Sequence, residues 1–297
     1  TAKSPNALIC HRCGEHDPTK DNAHACSNCG MDNLMRQSDL PILLKKMLKQ
    51  CDKLHSKAKG ESHEVQPAAT CPTEEAKEGT LGSKTGTANK RKKVYFLMLG
   101  GSFNPVHTQH IAALELARIR LEEEGKTVVG AFLGVSSKFH VLGKLGEAMT
   151  ITKQHRAAIC QEVTNLSDWI ETVPWGWANA QRQARVLQAA AQRRLPDFEV
   201  GNYTVLGADH PVVFPGAVMA MRKPHSQAIE HLLKNRGGAP DDFFMTREEL
   251  IDVSSTKIRK LVHAHDWEGL EKTGWVHPKV LAYMKKHDNS LWVGDTS

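Results

Sequence analysis

A short glycine-rich turn between two apolar stretches constrains this chain more than any other feature. Val94-Tyr95-Phe96-Leu97-Met98-Leu99 has the unbroken hydrophobicity of a buried parallel strand, with basic residues before it and glycine after it. The turn runs Gly100-Gly101-Ser102-Phe103-Asn104-Pro105-Val106-His107-Thr108-Gln109-His110. Beyond it Ile111, Leu114, Arg118 and Leu121 recur at helical spacing until Gly125 stops the helix. Strand, turn and helix in that order make the repeating unit of an open α/β sheet. Such sheets bind ligands outside the carboxyl ends of their strands.

The residue types in the turn point to phosphate. Gly100 and Gly101 lack a Cβ, so backbone and ligand can meet closely, and the amides opening the next helix favour negative charge. His107 and His110 lie three apart, a spacing that aims both imidazoles the same way. Paired imidazole donors suit a phosphoryl centre that gains charge in a transition state. The competing reading is that the histidines only cap the helix.

GSFNPVHTQH is similar to the G-x-F-x-P-x-[HT]-x-x-H signature of the nucleotidylyltransferase superfamily. Val253-Ser254-Ser255-Thr256-Lys257-Ile258-Arg259, about 150 residues downstream, is similar to its second signature, I-S-S-T-x-x-R. From about Val94 to Trp292 the chain resembles the nicotinamide mononucleotide adenylyltransferase family, which joins NMN to ATP. The resemblance implies a doubly wound, Rossmann-like parallel sheet, the substrates ATP and NMN, and Mg²⁺ with the nucleotide. It implies that His107 and His110 hold the α-phosphate and that Arg259 holds the leaving group. ATP would also meet Gly101, Ser102, Phe103, Gly207, Asp209, Ser254, Ser255, Thr256 and Lys257. NMN would meet Ser102, Phe103, Arg222 and, through its phosphate, Lys138 or Lys144. Trp169-Ile170-Glu171-Thr172-Val173-Pro174-Trp175 is similar to the family's K-W-V-E-V-D-T-W-E segment, which makes Trp175 the ring-stacking residue and Trp177 its alternative. The match has departures. Gly176 stands where that segment has an acid, and the stretch after Asp209 is short and lacks the family's leucine-tryptophan pair. A different acceptor, such as nicotinic acid mononucleotide or another phosphorylated compound, is therefore a second reading. The third is a zinc-ribbon adaptor for RNA or protein whose larger domain is inactive.

The rest of the chain divides by composition. Residues 1–93 carry 16 Lys and Arg against 11 Asp and Glu; residues 94–297 carry 23 against 22. The basic excess therefore lies in front, and the presumed catalytic part gives no reason to expect nucleic acid. Cys10-x-x-Cys13-Gly14 and Cys26-x-x-Cys29-Gly30 are two knuckles with the spacing of a closed tetrahedral zinc site within residues 1–37. A structural Zn²⁺ there would supply the fold of a segment with almost no core, at roughly 10–16 kcal/mol. Seven cysteines without a secretory signal read as thiols in a reducing compartment. Residues 38–51 read as a short amphipathic helix that packs on the zinc module or, as the second reading, binds a partner, with Leu40, Leu43, Leu44, Met47, Leu48 and Cys51 on one face. Residues 52–93 are too polar to offset the entropy of ordering and read as a flexible linker ahead of the catalytic domain, 94–297. The linker ends in Lys90-Arg91-Lys92-Lys93, a solvated charge run or a nuclear import signal, so the expected compartment is the cytoplasm or the nucleus. No run of eighteen apolar residues exists, so no membrane span is expected. The partner of the zinc module, protein or RNA, and any homo-oligomer are left open by the sequence.

Overall fold

The computed structural model describes residues 8–10, 16–17, 34–36, 40–60, 91–176 and 179–296. Three short strands, β1 (Leu8–Cys10), β2 (His16–Asp17) and β3 (Leu34–Arg36), pair antiparallel in the order β2-β1-β3. The side chains of Cys10, Cys13, Cys26 and Cys29 lie outside the described residues, and so does Cys71. Helix α1 (Leu40–Gly60) follows.

The larger sheet has six strands, all parallel: β4 (Lys92–Gly101), β5 (Val128–Val135), β6 (Ile170–Val173), β7 (Phe198–Gly207), β8 (Ala217–Ala220) and β9 (Phe243–Met245). Their order is β6-β5-β4-β7-β8-β9. The chain first winds outward from β4 to β5 and β6, then returns to β7 on the other side of β4. The reversal leaves a crevice at the carboxyl ends of β4 and β7, where ligands bind in doubly wound sheets.

Alternate residues of β4 face opposite sides of the sheet, as the strand period requires. Leu97 and Leu99 join the core beneath α2 (Thr108–Glu123), α4 (Lys153–Thr164), α7 (Ser255–His263) and α9 (Pro278–Lys286). Val94, Phe96 and Met98 join the opposite core beneath α1 and α5 (Ala180–Arg194). Helix α6 (Ser226–Asn235) closes a third cluster on β8 and β9. No helix among the described residues is long and apolar enough to cross a membrane.

Helix α1 corrects two expectations. It runs nine residues past Cys51, through Gly60, into what reads as linker. It also packs on the large sheet. Its apolar face, Leu40, Leu44, Met47 and Cys51, shares a core with Phe132 of β5 and Val173 of β6. The extra turns have partners of their own: Leu54 packs against that core, and the His55 ring stacks on Phe198 at 4.5 Å. Lys46 Nζ donates to the carbonyls of Thr164 at 2.6 Å and Ile170 at 2.8 Å and pairs with Glu171. The reason lies in the winding. Crossovers from β4 to β6 cover one face, so the opposite face of β5 and β6 needs a helix from elsewhere. Leu44 is fully buried. Leu44→Ala should lower unfolding free energy by about 2–5 kcal/mol in chemical denaturation, and an unchanged midpoint would contradict this packing.

Candidate active site

The turn from Gly101 to His107 is held by three separate segments. Asn104 is buried, its Oδ1 accepting from the Ile151 N–H at 2.8 Å and its Nδ2 donating to the Met149 carbonyl at 2.7 Å. Arg156, on α4, is fully buried, and its guanidinium donates to the carbonyls of Ser102, Ser136 and Ile151 at 2.7, 3.0 and 3.1 Å. Arg259, on α7, donates through Nη1 to the Asn104 carbonyl at 2.9 Å and through Nη2 to Thr256 Oγ1 at 3.0 Å. Ser255 Oγ adds a bond to the Pro105 carbonyl at 3.4 Å. The two signature segments thus meet directly, although they lie far apart along the chain.

The histidines are a stacked pair, ring centroids 3.7 Å apart and planes 25° from parallel, with the Phe103 ring edge-on to His110. The His107 backbone N–H donates to His110 Nδ1 at 3.0 Å. An amide can only donate, so neutral His110 carries its proton on Nε2. Burial, with His110 and Arg222 adding to it, pushes His107 down to about 2. Burial also pushes His110 down to about 4, against the pull of the Asp209 carboxylate. Both rings are therefore neutral at pH 7. His107 Nδ1 is buried without a protein partner among the described residues.

The capping reading holds in part, and it changes the chemistry. The His107 N–H is engaged by His110, and the Thr108 N–H donates to the Trp275 carbonyl at 2.9 Å. These helix-opening amides, expected to face a phosphate, are already bonded. The imidazole N–H groups replace them as donors.

Around the rings stand Asp209, Arg222, Asp252 and Lys257. Asp209, two residues past Gly207, is hydrogen-bonded by His210, which holds its carboxylate down at about 2. A Cβ on Gly207 would lie 2.5 Å from Asp209 Oδ1, so a larger residue there would push that carboxylate aside. Arg222 bonds Asp252, and Lys257 approaches the same carboxylate at 3.7 Å. Arg222 Nε and Arg259 Nε are buried and unpaired among the described residues. The site is thus rich in donors, most of them cationic or neutral, and it suits an extended polyanion.

The description "Cytidylyltransferase-like" belongs to the family model that matches residues 98–261, more than half of the chain. The chain belongs to the cytidylyltransferase-like family. Among curated proteins it is similar to nicotinamide/nicotinic acid mononucleotide adenylyltransferase 2 of Xenopus tropicalis, 35% identical over 88 residues, which are 30% of this chain and 27% of that protein. It is also similar to the nicotinamide/nicotinic acid mononucleotide adenylyltransferase of Arabidopsis thaliana, 27% identical over 132 residues, 42% of this chain and 53% of that protein. The matched part thus spans between a quarter and about half of these relatives' length. A solved structure, Plasmodium falciparum nicotinic acid mononucleotide adenylyltransferase complexed with NaAD, is similar with a TM-score of 0.41 at 14% identity, covering 66% of this chain and 96% of that one.

On this cytidylyltransferase-like sheet the remaining candidates fall into place unevenly. Ser254 caps α7, its side chain accepting from the Thr256 N–H. Lys138 and Lys144 are exposed at the two ends of α3 (Lys138–Leu145), and Lys144 acts electrostatically on His210 across the crevice. Arg222 is drawn into the histidine group, where its charge acts on both rings. Arg259 is buried, 6% exposed, with two of its donors engaged by the protein. Trp175, expected as a stacking platform, is 8% exposed and belongs to the core shared by α1 and α5; Trp177 lies outside the described residues. Sequence reasoning missed Asn104 and Asp252, and it read the His155-Arg156 pair equally as one that recurs in the resembled family and as a helix surface and cap. A polar residue inside an apolar helix face, as Arg156 is beside Ile159 and Cys160, was the available signal.

The depressed basicity of the histidines has a measurable sign. The unfolded chain takes up their protons below about 6.5 while the folded protein refuses them, so their contribution to stability is lost as pH falls from 6.5 toward 4. In ¹⁵N imidazole spectra His110 should keep the Nε2–H tautomer without titrating between pH 5.5 and 8. A midpoint between 6 and 7 would contradict the arrangement.

Proposed function

We propose that this chain is an adenylyltransferase that joins ATP to a pyridine mononucleotide, in the chemistry of NAD synthesis. An oxygen of the mononucleotide 5′-phosphate attacks the α-phosphorus of ATP in line. The bond from that phosphorus to the bridging oxygen of the β-phosphate breaks, and pyrophosphate leaves with the electron pair. A phosphate monoester is already a nucleophile at neutral pH, so no protein base is needed, and the protein's work is positioning and charge stabilisation.

The observation that carries this reading is the docking of α7 on the turn that holds two neutral, stacked imidazoles. His110 offers Nε2–H to the α-phosphate, and His107 offers its ring beside it. Being neutral, they donate without forming a tight ground-state ion pair, which leaves their electrostatic gain for the transition state. Arg222 faces the same phosphate. The opening of α7, with Ser255, Thr256 and Lys257, faces the β- and γ-phosphates. Arg259 fixes that helix end in place and has Nε–H left to offer. Gly207 and Asp209 suit ribose hydroxyls, and Ser102 and Phe103 sit between the two substrates. Mg²⁺ takes substrate phosphates together with one or two carboxylates. Asp209, whose charge acts on His110, would be the carboxylate to hold such an ion, which would neutralise charge on the triphosphate.

The relatives are named for both nicotinamide and nicotinic acid mononucleotide, so both acceptors belong in the test. Pyrophosphate release from ATP should require one of them. His110→Ala should lower kcat by about 10²–10³-fold, as loss of one preorganised donor does, with thermal unfolding monitored alongside. Unaltered turnover would remove His110 from the reaction and with it this reading.

A further inference from the structure

One cation in the crevice has no part in the machinery above. Lys153 is the first residue of α4, half-buried at the carboxyl ends of β5 and β6. Its neighbours fix its place. A Cβ on Gly176 would stand 2.9 Å from Lys153 Cδ and 3.4 Å from Nζ, with Ser137 Cα next at 3.6 Å. Ser137 caps the helix after β5, and Gly176, at φ +80°, lies just beyond β6. The side chain therefore lies across the two strand ends, in the space that any residue other than glycine at 176 would fill.

That placement is electrostatically unfavourable. A lysine at a helix start opposes the helix dipole. Burial lowers the ammonium's basicity, and the Arg156 guanidinium, of the same sign, adds to it. No carboxylate among the described residues acts on it. A half-desolvated ammonium at a ligand crevice in such company calls for an anion from outside the protein.

We propose that Lys153 is a specificity-determining residue that receives the ring carboxylate of an acidic pyridine mononucleotide, so that nicotinic acid mononucleotide is preferred over NMN. This rests on the adenylyl-transfer reading. A mononucleotide of that kind carries anionic groups at both ends, the phosphate and the carboxylate. The phosphate must lie where the bond is made, beside His107 and His110, on both of which the Arg222 charge acts. Lys153 stands outside that group, at the ends of β5 and β6, and on this assignment the other end of the acceptor lies against it. The amide form presents a cationic ring with a neutral substituent, which an ammonium repels. Discrimination thus has both an attractive and a repulsive element.

The test compares both acceptors on the same protein, so that a general loss of folding cancels. Pyrophosphate release is measured with ATP and either mononucleotide for the wild type, Lys153→Met and Lys153→Arg. The wild type should prefer the acid. Lys153→Met should lower the acid-to-amide ratio of kcat/KM by at least about tenfold, chiefly through the KM of the acid, and Lys153→Arg should restore most of it. An unchanged ratio, or equal losses with both acceptors, overturns the assignment, the latter by showing that Lys153 serves a group the two share. If the wild type turns over neither acceptor, the adenylyl-transfer reading itself fails, which is a separate result.

Discussion

Two buried guanidinium groups, each donating to main-chain carbonyls, hold this molecule's site together. Arg156 ties Ser102 to the end of β5, and Arg259 ties Asn104 to the start of α7. Loss of either would strand buried carbonyls without donors, at roughly 1–3 kcal/mol for each. Because carbonyls satisfy their hydrogen bonds without cancelling their charge, both cations also leave a net positive field in the crevice. The constraint that shapes the turn is thus also the source of its affinity for anions.

The sheet supplies the frame for that constraint. The reversal of winding between β6 and β7 opens the crevice beside β4, and the helices on one face deliver α2, α4 and α7 to its rim. On the opposite face, the sheet ends that hold Trp175 are covered in part by α1, which precedes the whole α/β unit in the chain. Helix α1 is therefore built into the same core as the wall of the crevice.

Much of this was legible in the sequence, because the signals were local. Glycines before a helical period gave the turn, and the serines of 254 and 255 gave the start of α7. Trp175 was read as a platform from a short match, and the burial of most of its ring among the core of α1 and α5 has no local signal. The helix-opening amides were read as free because nothing local reveals that Trp275, far downstream, accepts from Thr108. The length of α1 was missed because its last turns are polar and are held by tertiary partners such as Phe198. Arg156 and Lys153 lie one turn apart on α4, and only the closing of α4 over the strand ends makes one an anchor and leaves the other without a carboxylate among the described residues.

The account stands on a single triphosphate being held between the histidines and the opening of α7. A crystal structure with a non-hydrolysable ATP analogue tests it most directly. It should place an α-phosphate oxygen within about 2.7–3.2 Å of His110 Nε2, with the terminal phosphates at Ser255 to Lys257. An analogue bound with its phosphates turned away from the stacked rings, or on the far side of α7, would contradict it.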